Sequence, residues 1–434
     1  MQVLNWQQLS ASEQRQALQR SPLIGSESLG QTVRGIIESV AEKGDVALAE
    51  FNQKFDGVQV EQLQLSATEI SEACEKVAEP LKQSIQQAIA NIETFHIAQK
   101  FQPIEVTTQP GIQCELRNEP IEKVGLYIPG GTAPLISTVL MLAIPAKIAG
   151  CEKRVLVSPP PINDAIIYAA NACGIDEIYQ VGGAQAVAAL ALGTETIPAV
   201  DKIFGPGNRF VTEAKSQVSQ GSSFAGKSAV VSIDMPAGPS EVLVIADAEA
   251  NPQFIAADLL SQAEHGPDSQ VILVTDSADI AEQVNLALSQ QLAQLSRKEV
   301  AEQALQFSRT LLVESMQQAA VVSNLYGPEH LIIQTKAPRD ILKNVRAAGS
   351  VFLGAYTPES VGDYASGTNH VLPTYGYSRS VSSLSLADFS RRFTVQELTA
   401  EGLQGLGQAV MTLAEAELLD AHKNAVALRL DSLK

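Results

Sequence analysis

The chain's 434 residues suffice for roughly three domain-sized units, and a 45% hydrophobic content is ordinary for protein with a large core. Its 48 acidic against 30 basic residues give a formal net charge of -18, spread along the chain, which disfavours nucleic acid and anionic membrane as partners. Met1 to Ser10 has no basic region or apolar core of secretory type, and the most apolar window, Val139 to Ala149, is broken by Pro145 and charged at Lys147, so a cytoplasmic protein is expected.

From Met1 to about Lys100 the pattern is helical, with apolar Val33, Ile36, Ile37 and Val40 on one face and a break at Gly44-Asp45. Ser66 with Glu69 fits a capping box opening a third helix, and Pro80 opens a fourth that carries His96, read as a surface or core histidine. Cys74, Cys114, Cys151 and Cys173 form no CxxC pair and stand apart from the histidines in sequence, so buried free thiols are expected instead of a zinc ribbon or redox motif.

At Val124 the period changes. Val124 to Ile128, Arg154 to Ser158, Glu177 to Val181, Lys202 to Phe204 and Val230 to Ile233 are short β-rich runs separated by helical stretches, an alternation that implies a parallel sheet. After Asp234 to Pro239 the rhythm restarts, with runs at Glu241 to Ile245, Gln270 to Thr275, Thr310 to Glu314, Leu331 to Gln334 and Ser350 to Leu353. The predicted fold is α/β: two similar, Rossmann-like but incomplete parallel-sheet units with a ligand crevice between them, plus a helical N-terminal region and a helical C-terminal tail. The expected divisions are an N-terminal helical segment (1–25), a helical region packing with the second α/β unit (26–123), a first α/β unit on the cofactor side (124–236), a second, catalytic α/β unit (237–380) and the tail (381–434). That tail must bury its apolar face, either on its own body or over a partner subunit.

Three glycine turns, at Tyr127 to Thr132, Val181 to Gln185 and Phe204 to Asn208, fall at carboxyl ends of strands in the first unit, where backbone N–H groups can hold a pyrophosphate. None spells GxGxxG, so a loose turn is the alternative. In the second unit, a helix from about Phe254 is stopped by Gly266-Pro267. Gln262 and His265, three apart, then share a face and can converge on one cation; a polar helix end with a satisfied histidine is the alternative. Glu329-His330 suits two separate proton transfers, or is a buried structural pair, and Gly362 to His370 is a polar loop of functional type.

SQAEHGPDSQV, DMPAGPSEVLV, YGPEHL, SGTNHVLPT, GLYIPGG and FGPGN lie along essentially the whole chain, which by these motifs resembles the histidinol dehydrogenase family. The resemblance implies oxidation of L-histidinol to L-histidine through the aldehyde, with two NAD and one Zn2+ per subunit, as the last step of histidine biosynthesis. It places metal ligands on Gln262, His265, Asp363 and His422, the proton-transfer pair on Glu329 and His330, and NAD near Tyr127, Gln185 and Asn208. Substrate contacts fall on Ser240, His330, His370 and Glu417 besides the metal ligands, and His422 and Glu417 complete the site of the neighbouring subunit in a homodimer. One departure is the segment from Ser219 to Ser232, several residues longer than the family's usual link. Competing readings are a same-family enzyme acting on another amino alcohol or polyol, a zinc hydrolase, which would leave the glycine turns idle, and a non-catalytic binding protein.

Overall fold

Where short apolar runs alternate with helical stretches, strands and helices form in that order. The structure, a computed structural model, describes residues 1–20, 27–130, 134–235 and 238–434. Gly131 and Thr132 of the first glycine turn, and the expected divisions at 25/26 and 236/237, lie outside the described residues. The strands are β1 (Gln2–Asn5), β2 (Ile104–Gln109), β3 (Ile112–Pro120), β4 (Lys123–Tyr127), β5 (Lys153–Ser158), β6 (Ile178–Gln180), β7 (Lys202–Phe204), β8 (Ser223–Phe224), β9 (Lys227–Ser228) and β10 (Ser232–Ile233). They continue as β11 (Glu241–Ala246), β12 (Gln270–Thr275), β13 (Arg309–Leu312), β14 (His330–Gln334), β15 (Ser350–Leu353) and β16 (Ser390–Leu398).

Two parallel sheets dominate. The first has the order β10-β7-β4-β5-β6, and the second β1-β13-β12-β11-β14-β15. Apart from β1, each sheet runs third, second, first, fourth, fifth in its own chain order, so the two units repeat one incomplete Rossmann-like topology. Both faces of the second sheet are covered: Val242, Val244 and Ala246 of β11 join one core and Leu243 and Ile245 the other, as period-two side chains must.

The helical region behaves differently from the expectation. Helix Glu27–Lys43 buries Val33, Ile37 and Val40 against helices Gly183–Leu192 and Arg209–Val218, while Ala67–Lys76 and Glu79–Ile97 share a core with Ile136–Ala149 and Asp164–Ala172. These helices therefore pack on the crossover helices that flank both faces of the first sheet, not on the second, because those crossover helices keep outward apolar residues that need closing. The N-terminal segment is also not purely helical: β1 pairs in parallel with β13, Gln2 opposite Arg309, and Trp6 is buried beside it. The third sheet, β16-β3-β2, is antiparallel and joins two stretches read as helical, with Ser390 opposite Pro120 and Leu398 opposite Ile112. Strands β2 and β16 are largely exposed, but β2 and β3 do alternate, with Ile104 and Val106 on one and Ile112, Cys114 and Leu116 on the other, a period-two signal for strands inside the stretch read as helical. The tail that follows is helical, Ala400–Ala416 and Asp420–Asp431 packed on each other. Part of the segment from Ser219 to Ser232 is the β8–β9 hairpin, whose Phe224 is buried near the helix Glu27–Lys43.

Candidate active site

Asp234 follows β10 at the carboxyl edge of the first sheet, and Glu241 opens β11 at the amino edge of the second. So short a link holds these two edges together, and the crevice between them is where the candidate residues gather. On the first sheet, Tyr127 ends β4, and its buried hydroxyl accepts from Gly183 N (3.1 Å) at the start of the helix that carries Gln185. Asn208 caps helix Arg209–Val218, its side chain accepting from Phe210 N (3.0 Å) and Val211 N (3.2 Å). Gly205, at φ +122, packs so closely that a Cβ would lie 2.1 Å from the Tyr127 carbonyl oxygen. Lys215 and Asp234 grip that glycine from both sides: Lys215 Nζ donates to Gly205 O (2.9 Å), and Gly205 N donates to Asp234 Oδ2 (2.8 Å).

The second sheet presents its amino edge, opposite to where ligands sit in an isolated doubly wound sheet. Helix Pro252–Ala263 runs back along β11 and so delivers Gln262 to that edge. The helix ends two residues before His265, so the two residues do not share a helical face. A final turn, His265 N to Gln262 O (3.2 Å), still keeps them on one side. Glu359 and Asp363 stand four apart on helix Glu359–Tyr364, hence on one face. Nitrogen or oxygen atoms of His265, Glu359 and Asp363 lie within 4.8 Å of one another, and Gln262 reaches the same group: with its amide nitrogen toward Glu359, it donates to Oε2 (2.9 Å) and to Oε1. That orientation leaves the amide oxygen as an acceptor.

His330 opens β14 beside them, with Glu329 immediately before it. His330 Nδ1 lies 3.0 Å from Glu241 O, Glu241 N donates to Glu329 Oε2 (2.8 Å), and His330 Nε2 sits 3.6 Å from Asp363 Oδ1 with no hydrogen-bond partner. Ser240 precedes β11 at the same edge and is half-buried. His370 Nδ1 lies 3.0 Å from Asp363 O, and its Nε2 lies 3.4 Å from Thr138 Oγ1 on the first unit, while Asn369 Nδ2 donates to Met141 O (2.7 Å). The Gly362 to His370 loop thus spans the crevice.

Burial pushes the Glu329 carboxyl up to about 7, although the His330 imidazole pulls it down. Burial also pushes Glu359 up. For His330, burial acts downward but is outweighed by the carboxylates of Glu359, Glu329 and Asp363, which hold it well above the ordinary imidazole range. Burial raises Asp363, yet the surrounding imidazoles, His330 foremost, leave its carboxyl below the usual range. Burial lowers His370, and desolvation at the crevice lowers His265 as well, although that residue remains exposed on its outer side. The His265 imidazole, the Glu359 and Asp363 carboxylates and the Gln262 amide oxygen form a donor set that suits a divalent cation. Glu359 was not among the sequence candidates; the only signal for it is its spacing of four from Asp363. His422 and Glu417 stand apart from this group, both exposed on the helical tail.

A sequence model described as histidinol dehydrogenase matches residues 20–430. The chain is similar to the histidinol dehydrogenase of Shewanella oneidensis, 72% identical with both chains wholly covered, and to that of Escherichia coli K12, 58% identical over 100% of this chain and 98% of the relative. The crystal structure of histidinol dehydrogenase from Elizabethkingia anophelis superposes with a TM-score of 0.94 at 48% identity, covering 100% of this chain and 98% of that one.

Proposed function

The chain belongs to the histidinol dehydrogenase family, oxidoreductases of histidine biosynthesis, and from that membership we propose that it oxidises L-histidinol to L-histidine in two NAD-linked steps at a zinc site in the crevice. The observation that carries this reading is the meeting of Gln262, His265 and Asp363 beside Glu329 and His330, where a reacting carbon can face both a cation and two bases. Gln262, His265 and Asp363 would hold the ion, with His422 supplied by the partner subunit. Zinc bound there would orient the amino alcohol and offset the carboxylates that keep His330 protonated. Tyr127, Gln185 and Asn208 would meet NAD, and Ser240, His370 and the partner subunit's Glu417 the substrate.

The proton chemistry follows from how the two bases are held. His330 commits Nδ1 to the Glu241 carbonyl, so Nε2 is left to take the hydroxyl proton as the carbinol hydride passes to the first NAD. The aldehyde so formed has no hydride to give usefully until water adds to it. Glu329, drawn near neutral by burial, takes the proton of that water, and the hydrated aldehyde delivers its hydride to the second NAD, leaving the carboxylic acid. Adding histidinol to the zinc-loaded protein should yield two NADH per histidinol, read as absorbance growth; one NADH, or none, overturns the two-step reading. Glu329→Gln should stop acid formation while alcohol-to-aldehyde turnover persists. Equal loss of both steps would count against this division of labour.

A further inference from the structure

Both bases are held through the backbone of one residue, Glu241. The Glu241 backbone N–H holds Glu329 Oε2 (2.8 Å), and its carbonyl holds His330 Nδ1 (3.0 Å), so the position of this single peptide sets one carboxylate and one imidazole tautomer together. The Glu241 side chain is in turn fixed from a distant part of the sequence. Arg20 forks onto both carboxylate oxygens, with Nη2 at 2.8 Å from Oε2, and the two side chains are only 12% and 2% exposed. Arg20 Nη2 also donates to the carbonyls of Tyr326 (3.0 Å) and Gly327 (3.2 Å), and its guanidinium lies 3.9 Å from the centroid of the Tyr326 ring. Tyr375 N donates to Glu241 Oε1 (2.9 Å). Tyr326 OH donates to Gln270 Oε1 (2.8 Å), and Gln270 Nε2 returns to Gln19 O (3.0 Å). Arg20 thus ties Glu241, which opens β11, to the turn that leads into Glu329 and His330.

We propose that the buried Arg20–Glu241 pair is a positioning device for the two bases, acting through the Glu241 peptide. This rests on the roles given above to Glu329 and His330. A buried ion pair adds little net stability compared with apolar residues of similar shape, since desolvation offsets the attraction, so geometry is its better explanation. The bidentate fork matters as well as the charge, because a lysine cannot engage both carboxylate oxygens and two carbonyls at once.

The test uses the full-length enzyme in its native assembly and compares Arg20→Met, Arg20→Lys, the double variant Arg20→Met with Glu241→Met, and His330→Ala as the reference for the bases. Arg20→Met is expected to lower kcat by about 10- to 100-fold, with KM for histidinol and for NAD changed less than about threefold; Arg20→Lys should recover part of the loss. The double variant leaves no unpaired buried charge and should regain the thermal midpoint without regaining kcat. If the double variant restores kcat together with thermal stability, or if kcat is untouched in Arg20→Met, the pair is structural only and the proposal fails. Should Arg20→Met not fold, the double variant alone decides on the same criterion. If His330→Ala itself keeps the wild-type kcat, the failure lies with the assignment of the bases.

Discussion

Asp258 stands one turn before Gln262 on the same helix, buried, and desolvation raises its carboxyl from 3.8 to about 7. The native state therefore binds this proton more tightly than the unfolded chain, and stability falls as pH rises from about 4 to about 7. Asp258→Asn should be stabilising relative to the wild type, by a margin that grows by at most about 3 kcal/mol between pH 5 and pH 8. Unfolding midpoints at the two pH values check this, and a margin independent of pH would refute it. The same helix shows what local sequence can reveal. Gln262 and His265 stood out because a Gly-Pro stop and a spacing of three mark one place on the chain. Glu359, as buried as Gln262 and in contact with it, carried no such mark. Glu241 was invisible in principle: its link to both bases runs through its backbone, and its partner Arg20 lies 221 residues away.

At the scale of elements, the alternation of strand and helix was legible almost residue by residue, because strands buried on both faces must be short apolar runs. All ten strand runs of the two parallel sheets formed within a few residues of their expected bounds. What failed were the strands outside those runs. β1 is only four residues long and β16 opens on a polar stretch, whereas β2 and β3 do alternate, at Ile104 and Val106 and at Ile112, Cys114 and Leu116, and were legible as strands. The turn after β7 shows what close packing between elements requires. A side chain at Gly205 would strike the Tyr127 carbonyl, so Gly205→Ala must displace either the end of β4 or the helix that Asn208 caps. A loss of at least about 2 kcal/mol in stability is expected, with weakened NAD binding and unchanged metal content. Thermal melts, NAD titration and metal analysis measure the three effects; NAD affinity equal to the wild type would remove this turn from the cofactor site.

At the scale of the whole molecule, the helical tail stands apart from the site. His422 and Glu417 are exposed there and take no part in the cluster of His265, Glu359 and Asp363 within one chain. Exposed Leu413, Leu418, Leu419 and Leu428 on the same tail form an apolar surface suited to a second copy. If the tail completes the neighbour's site, a heterodimer of His422→Ala and His330→Ala subunits has one intact site, made of the His422→Ala body and the His330→Ala tail. Activity should then return on mixing the two inactive variants; verified heterodimers without activity would refute the exchange. The sequence by itself determined the two parallel-sheet units and the family, since burial periodicity and ordered motifs are local properties of the chain. Only the tertiary structure decided that the helical region packs on the first unit, that a carboxyl edge faces an amino edge across the crevice, and that Arg20 grips Glu241. Those outcomes depend on which apolar faces and polar groups remain unpaired once the sheets exist, and that is a property of the folded whole.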